Sequence, residues 1–127
     1  MRSLTKEFTT GNETLDKQHE DIINLINKFQ VSCEMNINDD DLDEILSELT
    51  DYAYTHFAEE EAFMRSISFP EYTEHKALHQ EFIKKLNAYN AQFMAGTKNL
   101  EREILAFLRG WENDHVRMED AKFLEYV

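Results

Sequence analysis

The residues with the clearest chemical potential lie in one central stretch of the chain, residues 56–79. His56 is followed by Glu60 and His75 by His79, so the members of each pair are four residues apart. On a helix that spacing puts both side chains on one face, one turn apart. A helix can offer two ligands to one metal ion in this way, or one ligand and one bridge to two ions. Two such pairs in succession favour a metal site over two unrelated surface pairs.

A break in the pattern separates the two pairs. Pro70 is tolerated only in the first turn of a helix, and Ser68 and Glu71 have the spacing of a capping box. The sequence therefore predicts two helices joined as a hairpin, with Ser68 capping the second.

The remaining histidines fall on the apolar stripes of other predicted helices. His19 occupies a heptad position between Leu15 and Ile22, and His115 continues the stripe that contains Trp111. All 5 histidines therefore face inward. Burying them separately, together with Glu60, would be costly, so a shared metal centre explains them better than five independent core histidines. Imidazole and carboxylate donors without a thiolate suit iron, manganese or zinc.

Four amphipathic stretches with apolar residues three and four positions apart predict the elements that hold these side chains. Asn12 or Thr14 could cap the first helix, and Gly96 ends the third. Short connections between four helices indicate an all-α fold, an up-down-up-down antiparallel four-helix bundle. We expect an N-terminal arm over residues 1–11 and a short C-terminal tail over residues 120–127 that packs back on the bundle. At 127 residues, the chain 1–127 forms one domain.

Composition excludes several classes of partner. The formal net charge of −13 argues against binding to nucleic acid or to an anionic membrane surface. No stretch approaches the length of a membrane-spanning helix, and the N-terminus lacks the apolar run of a signal peptide. A single cysteine, Cys33, fits a reducing compartment, so we expect a cytoplasmic protein.

A second carboxylate ligand is expected near His115, and Glu119 and Asp120 are the two candidates. Around a straight helix Glu119 lies about 40° from His115, whereas Asp120 lies about 140° away. Regular geometry therefore prefers Glu119, and Asp120 requires a local widening or a helix end.

The order and spacing of these residues resemble the hemerythrin family, in particular bacterial single-domain hemerythrins, over essentially the whole chain. The matching segments are Asp16-Lys17-Gln18-His19, His56-x3-Glu60, His75-x3-His79 and His115-x4-Asp120. The resemblance implies two iron ions joined by an oxo or hydroxo bridge. It implies that Glu60 and Asp120, rather than Glu119, bridge the two ions. The histidines would divide into His75, His79 and His115 on one iron and His19 and His56 on the other, which would keep an open position.

The resemblance also implies reversible dioxygen binding for storage, delivery or sensing, by an oxygen-binding protein rather than an enzyme. Two alternatives stay open: a di-iron enzyme with peroxidase-like or nitric-oxide-directed activity, and an input domain of a signalling protein that senses oxygen, redox state or iron. Dioxygen would be the small-molecule partner, and a redox partner or a signalling protein the macromolecular one.

Five positions match the family's apolar ligand pocket: Ile22, Phe57, Trp111, Glu112 and Val116. Glu112 departs from the pattern, because the family commonly has leucine there. Two placements stay open for it. Glu112 points to solvent, which we favour slightly, or it enters the pocket, where it would donate protons and shorten the lifetime of the oxygenated state.

Overall fold

The computed structural model describes residues 10–120 together with 122 and 123, and the side chains of 116–119 lie outside that description. The described residues form four α-helices and one π-helical segment: α1 (Glu13–Glu34), α2 (Asp39–Ser66), α3 (Tyr72–Met94), α4 (Glu101–Trp111) and the π-segment Glu112–Glu119 that continues α4. Helix α1 packs against α2 and α4, and α2 also packs against α3. The described residues include no strand, and the predicted up-down-up-down four-helix bundle is confirmed.

The start of α1 is fixed by side-chain hydrogen bonds. Asn12 is the N-cap, and its side chain accepts a 3.0 Å hydrogen bond from the backbone N–H of Leu15. Thr10 is buried and donates through its backbone N–H and its hydroxyl to one oxygen of Asp16. Of the two predicted caps, Asn12 rather than Thr14 is the correct one. Residues 1–9 of the predicted N-terminal arm lie outside the described residues.

The connection between α2 and α3 differs from the prediction. Ser68 has a positive φ of 52°, and its N–H donates to the carbonyl of Arg65 while the N–H of Phe69 donates to that of Met64. This is the hydrogen-bond pattern of a Schellman motif, which ends a helix. Ser68 therefore terminates α2 instead of capping α3, and the capping-box prediction is wrong. The apolar contact of Phe69 with Met64 stabilises the turn.

Two apolar clusters lie on either side of the candidate site. The larger fills the bundle around Ile22, Ile26 and Phe57. The smaller consists of Leu15, Met64, Phe69 and Phe123. Phe123 is fully buried, so this part of the predicted tail does pack back on the bundle. No helix of the described residues is long and apolar enough to cross a membrane.

Candidate metal centre

All five histidine side chains converge on two carboxylates in the interior of the bundle, and none of these residues is more than 3% exposed. Their potential ligand atoms form two groups that each fit within 4.8 Å. One group contains three histidines, His75, His79 and His115, which we name the three-histidine half. The other contains His19 and His56, which we name the two-histidine half. Glu60 and Asp120 belong to both groups.

Glu60 turns one oxygen toward each half. Its Oε1 lies 2.9 Å from Nε2 of His75 and 2.8 Å from Nε2 of His79. Its Oε2 lies 3.1 Å from Nε2 of His19 and 2.9 Å from Nε2 of His56. Donor atoms at adjacent corners of an octahedron with bonds of about 2.1 Å are about 3 Å apart, so these separations suit ligands arranged around two small cations.

Asp120 divides its oxygens in the same way. Oδ1 lies 2.7 Å from Nε2 of His75 and 3.0 Å from Nε2 of His115, and Oδ2 lies 2.9 Å from Nε2 of His19. Despite these short distances, no hydrogen bond of acceptable geometry reaches either oxygen from the described residues. A buried carboxylate without such bonds is costly. The arrangement fits oxygens aimed at cations between the side chains better than oxygens aimed at the imidazoles themselves.

The π-segment explains why Asp120 can take this position. The backbone N–H of Asp120 donates to the carbonyl of His115, five residues back. Such i→i+5 bonding widens the turn, so that residues five apart come to the same face. The widening that Asp120 requires is therefore present, and simple periodicity was the wrong guide to its position. The side chain of Glu119 lies outside the described residues.

The electrostatics of the cluster indicate a site that holds positive charge. Burial alone would lower the pKa of His19, but the negative charges of Asp120 and Glu60 outweigh it and raise the pKa to about 10. For His75 burial again opposes the shift, and contacts with Asp120 and Glu60 raise the pKa to about 9. The pKa of His115 is raised by the same two carboxylates against the effect of burial. Metal cations supply at such a centre the charge that protons supply here.

The carboxylates respond in the opposite direction. Burial would raise the pKa of Glu60, but the charge of His56 and hydrogen bonds from the surrounding imidazoles hold it well below its ordinary value. Burial and the charge of Glu60 would raise the pKa of Asp120, yet the charges of His115 and His19 lower it. Both groups therefore remain carboxylates, the form that binds cations.

Two side chains outside the predicted ligand set orient the histidines from outside. Nδ1 of His79 lies 3.0 Å from Oε2 of Glu61, and Nδ1 of His56 lies 2.5 Å from Oε1 of Gln18. Gln18 in turn donates to the exposed carboxylate of Glu59. Such partners fix the ring so that Nε2 faces the metal, and a carboxylate also makes the imidazole a stronger donor. Their adjacency to His19 and Glu60 in the sequence was the available signal.

Aromatic rings cover the three-histidine half. Phe57 stacks on His79 with centroids 4.0 Å apart and planes 2° apart. Trp111 stacks on His115 at 3.8 Å and 10°. Phe123 lies 5.0 Å from His75 on another side.

Among the five predicted pocket residues, three share the core next to the site. Phe57 and Trp111 are in contact, with centroids 5.5 Å apart, and Ile22 is buried in the same apolar cluster. The side chain of Val116 lies outside the described residues. Their role in binding a ligand stays a prediction.

Glu112, the fifth, is fully buried, so the solvent placement that we favoured is wrong. Its Oε1 accepts a 2.8 Å hydrogen bond from Nη1 of Arg109, one turn earlier on α4. Arg109 also donates to Asn27 at 2.9 Å and to Gln30, both on α1. Glu112 can be buried because the positive charge of Arg109 lies next to it, and amide side chains of α1 hold that arginine in place.

A surface groove of about 430 Å³ reaches the site from the three-histidine side. Its lining includes Leu78, Phe107, Gly110, Trp111 and His115. Of the four predicted pocket residues whose side chains the structure describes, only Trp111 lines it. His115 itself lines the groove, and the indole of Trp111 stacks on its ring.

Comparison with known proteins agrees with this geometry. A family model described as the hemerythrin HHE cation-binding domain matches residues 10–127. The bacteriohemerythrin of Stenotrophomonas maltophilia is 30% identical over 121 residues, which cover 95% of this chain and 78% of the relative. That of Clostridium acetobutylicum is 28% identical over 123 residues, covering 94% and 95%. A wild-type hemerythrin crystal structure matches with a TM-score of 0.88 at 25% identity, covering 99% of this chain and 96% of that one. The match extends over the whole donor cluster, from His19 to Asp120, and the chain belongs to the hemerythrin family.

Proposed function

We propose that the chain binds dioxygen reversibly at a non-haem di-iron centre, for oxygen storage, delivery or sensing. The observation that carries the proposal is the division of Glu60 and Asp120, each of which turns one oxygen to the three-histidine half and one to the two-histidine half. A carboxylate arranged in this way is suited to bridging two cations. The proposed ligands are His19, His56, Glu60, His75, His79, His115 and Asp120.

Iron is the metal that we propose, with an oxo or hydroxo bridge between the two ions. The seven donors are imidazoles and carboxylates, and neither donor group includes a thiolate. This set suits iron, manganese or zinc, and of the three iron best combines with the oxygen binding known of the family. When bound, the two irons would supply the electrons for reversible dioxygen binding.

The chain's own residues give the two halves different capacities. Three histidines and two carboxylate oxygens converge on one half, whereas two histidines and two carboxylate oxygens converge on the other. We propose that a small ligand binds at the two-histidine half, because that half has one protein donor fewer. The buried side chains of Ile22 and Phe57 next to the cluster would exclude water and so slow oxidation of the site.

The enzyme alternative loses its main support. It required Glu112 to deliver protons to bound oxygen, but Arg109 holds this carboxylate in an ion pair that extends to Asn27. Proton delivery would require that pair to break. The sensing alternative is compatible with the same chemistry. It differs only in requiring a partner protein that responds to the state of the site.

We further propose a cytoplasmic location, for which the single cysteine of the chain is the support. A redox partner that keeps the irons reduced, or a signalling protein that responds to them, would act there.

The test is anaerobic reconstitution with ferrous iron followed by exposure to air. We expect two irons per chain, a visible absorption band that appears with oxygen, and loss of that band when oxygen is removed. Protein loaded with zinc is the control, because zinc occupies the same donors without redox chemistry and should give no band. One iron or fewer per chain in a fully loaded sample, or a band that oxygen removal does not reverse, would contradict the proposal.

A further inference from the structure

A buried hydroxyl next to the two-histidine half has no assigned role. The ring of Tyr52 stacks on that of His56, with centroids 4.9 Å apart and planes 18° apart. The hydroxyl of Tyr52 is buried and has no hydrogen-bond partner among the described residues. A buried hydroxyl without a partner is destabilising, so its retention requires an explanation.

The topology places this tyrosine on the side where the predicted pocket lies. Tyr52 precedes His56 by one turn of α2, and Ile22 follows His19 by about one turn of α1. Helices α1 and α2 are antiparallel, and their histidines meet with Nε2 atoms 3.0 Å apart. Tyr52 and Ile22 therefore lie on the same side of the donor cluster, at the two-histidine half.

The surroundings of Tyr52 favour a hydrogen-bond donor. An ordinary phenol keeps its proton at neutral pH. A protonated phenol has one O–H to donate, and the described residues offer it no acceptor.

We propose that the Tyr52 hydroxyl donates a hydrogen bond to a small ligand held at the two-histidine half, and so favours ligands whose atoms carry negative charge. The inference rests on the proposed function, since it requires a metal-bound ligand at that half. Dioxygen that has gained electron density from iron belongs to this class, as do small inorganic anions such as azide. Tyr52 would thus determine specificity without being a metal ligand.

The experiment uses azide as the probe on oxidised, iron-loaded protein. Tyr52→Phe removes the hydroxyl and keeps the ring that stacks on His56. Loss of one hydrogen bond should weaken azide binding roughly tenfold. Tyr54→Phe is the matched control, since Tyr54 lies on the same helix and is 54% exposed, and it should bind azide like the unmodified protein.

A second readout separates ligand binding from a structural role. The infrared stretch of bound azide should shift between H₂O and D₂O in the unmodified protein and lose that shift in Tyr52→Phe. The metal-free Tyr52→Phe protein should melt no lower than the unmodified one, because it loses no hydrogen bond. Equal azide affinity and an unchanged isotope shift would overturn the inference.

Iron content, measured on the same samples, shows whether a negative result concerns Tyr52 alone or the proposed function as well. If the unmodified protein takes up two irons and Tyr52→Phe behaves identically toward azide, only the role of Tyr52 is wrong. If the unmodified protein does not take up two irons, the proposed function is wrong and this inference is overturned with it.

Discussion

The two halves of the donor cluster share both carboxylates but have different surroundings. In the three-histidine half, Trp111 stacks on His115 and Phe57 on His79. In the two-histidine half, His56 contacts the amide of Gln18 and stacks on the phenol of Tyr52, and the ring of Phe57 lies 5.9 Å away. Aromatic rings thus stack on two histidines of one half, whereas a polar amide and a phenol contact His56 in the other.

This difference separates two tasks that a metal centre must perform. A half that has more donors and aromatic rings stacked on its histidines can hold a cation firmly. A half that has fewer donors and a hydroxyl without a partner is suited to exchanging a small ligand. Glu60 and Asp120 belong to both halves, so a change to either carboxylate affects both.

The largest effect that we predict comes from removing a group that both halves share. Asp120→Ala should abolish binding of both irons, because each half loses an oxygen donor and, on the proposed function, a bridge between the ions is lost. Asp114→Ala is the control, since Asp114 is exposed on the same π-segment. The measurement is iron per chain after reconstitution and dialysis. Two irons retained in Asp120→Ala would refute the bridging role.

A second prediction is that the two halves behave alike when metal is absent. His19 in one half and His75 in the other have pKa values raised to about 10 and about 9 in the folded protein, above about 6.5 in the unfolded chain. The stability that they contribute is fully present below pH 6.5 and is lost as the pH rises through 9 and 10. Between the unfolded and folded pKa values, such a histidine is protonated only in the folded state, and each unit rise in pH lowers the free energy of unfolding by about 1.4 kcal/mol per histidine.

Glu60 and Asp120 determine how the stability of the metal-free protein decreases at acidic pH. The pKa values of Glu60 and Asp120 are lowered on folding, so the stability that they contribute is present above pH 4 to 5 and lost as the pH falls further. Urea unfolding of the metal-free protein across a pH series should therefore give a maximum near pH 5 to 6. His75→Gln should reduce the decline on the alkaline side. Stability that increases between pH 6.5 and 9 would contradict the prediction.

A third prediction concerns the ion pair on the α1–α4 side of the bundle. Arg109→Ala leaves Glu112 buried without its guanidinium and should cost about 3–5 kcal/mol of unfolding free energy. Combining Arg109→Met with Glu112→Leu removes both charges and should restore most of that loss. Chemical denaturation of the single and double variants measures the coupling. A cost below about 1 kcal/mol for Arg109→Ala would mean that Glu112 finds its stabilisation elsewhere.

Residues of the site could be predicted from the sequence where regular helical spacing sets their position, but not where local distortions or contacts between distant residues set it. Members of the donor cluster four residues apart, such as His56 with Glu60, could be predicted because helical spacing is a local property. Asp120 could not be placed by periodicity, since the π-segment is a local departure from 3.6 residues per turn. The resemblance to a known family supplied that residue.

Contacts between side chains on different helices could not be predicted from the spacing of residues in the sequence. Glu112 looked like a surface residue because nothing in the spacing shows that Asn27, on a different helix, would hold its partner Arg109 in the interior. Ser68 was misassigned for a related reason. Its serine–glutamate spacing fits a helix start, but the burial of Phe69 against Met64 decides in favour of a helix end.

The smallest predicted effect compares two glutamates that flank Glu60. Glu61 contacts Nδ1 of His79 in the three-histidine half, whereas Glu59 accepts from Gln18, which in turn contacts His56 in the other half. A carboxylate on an imidazole strengthens its donation to metal, and its loss typically costs tenfold or more in metal affinity. Glu61→Gln should therefore accelerate iron loss to a chelator roughly tenfold.

Glu59→Gln is the matched control, because it makes the same chemical change two residues away on an exposed side chain. It should leave the rate of iron loss nearly unchanged, since the amide of Gln18 stands between Glu59 and the histidine. Equal acceleration in both variants would indicate a general effect of surface charge on the chelator. In that case the firmer hold of the three-histidine half would have to come from its stacked aromatic rings and its additional histidine rather than from Glu61.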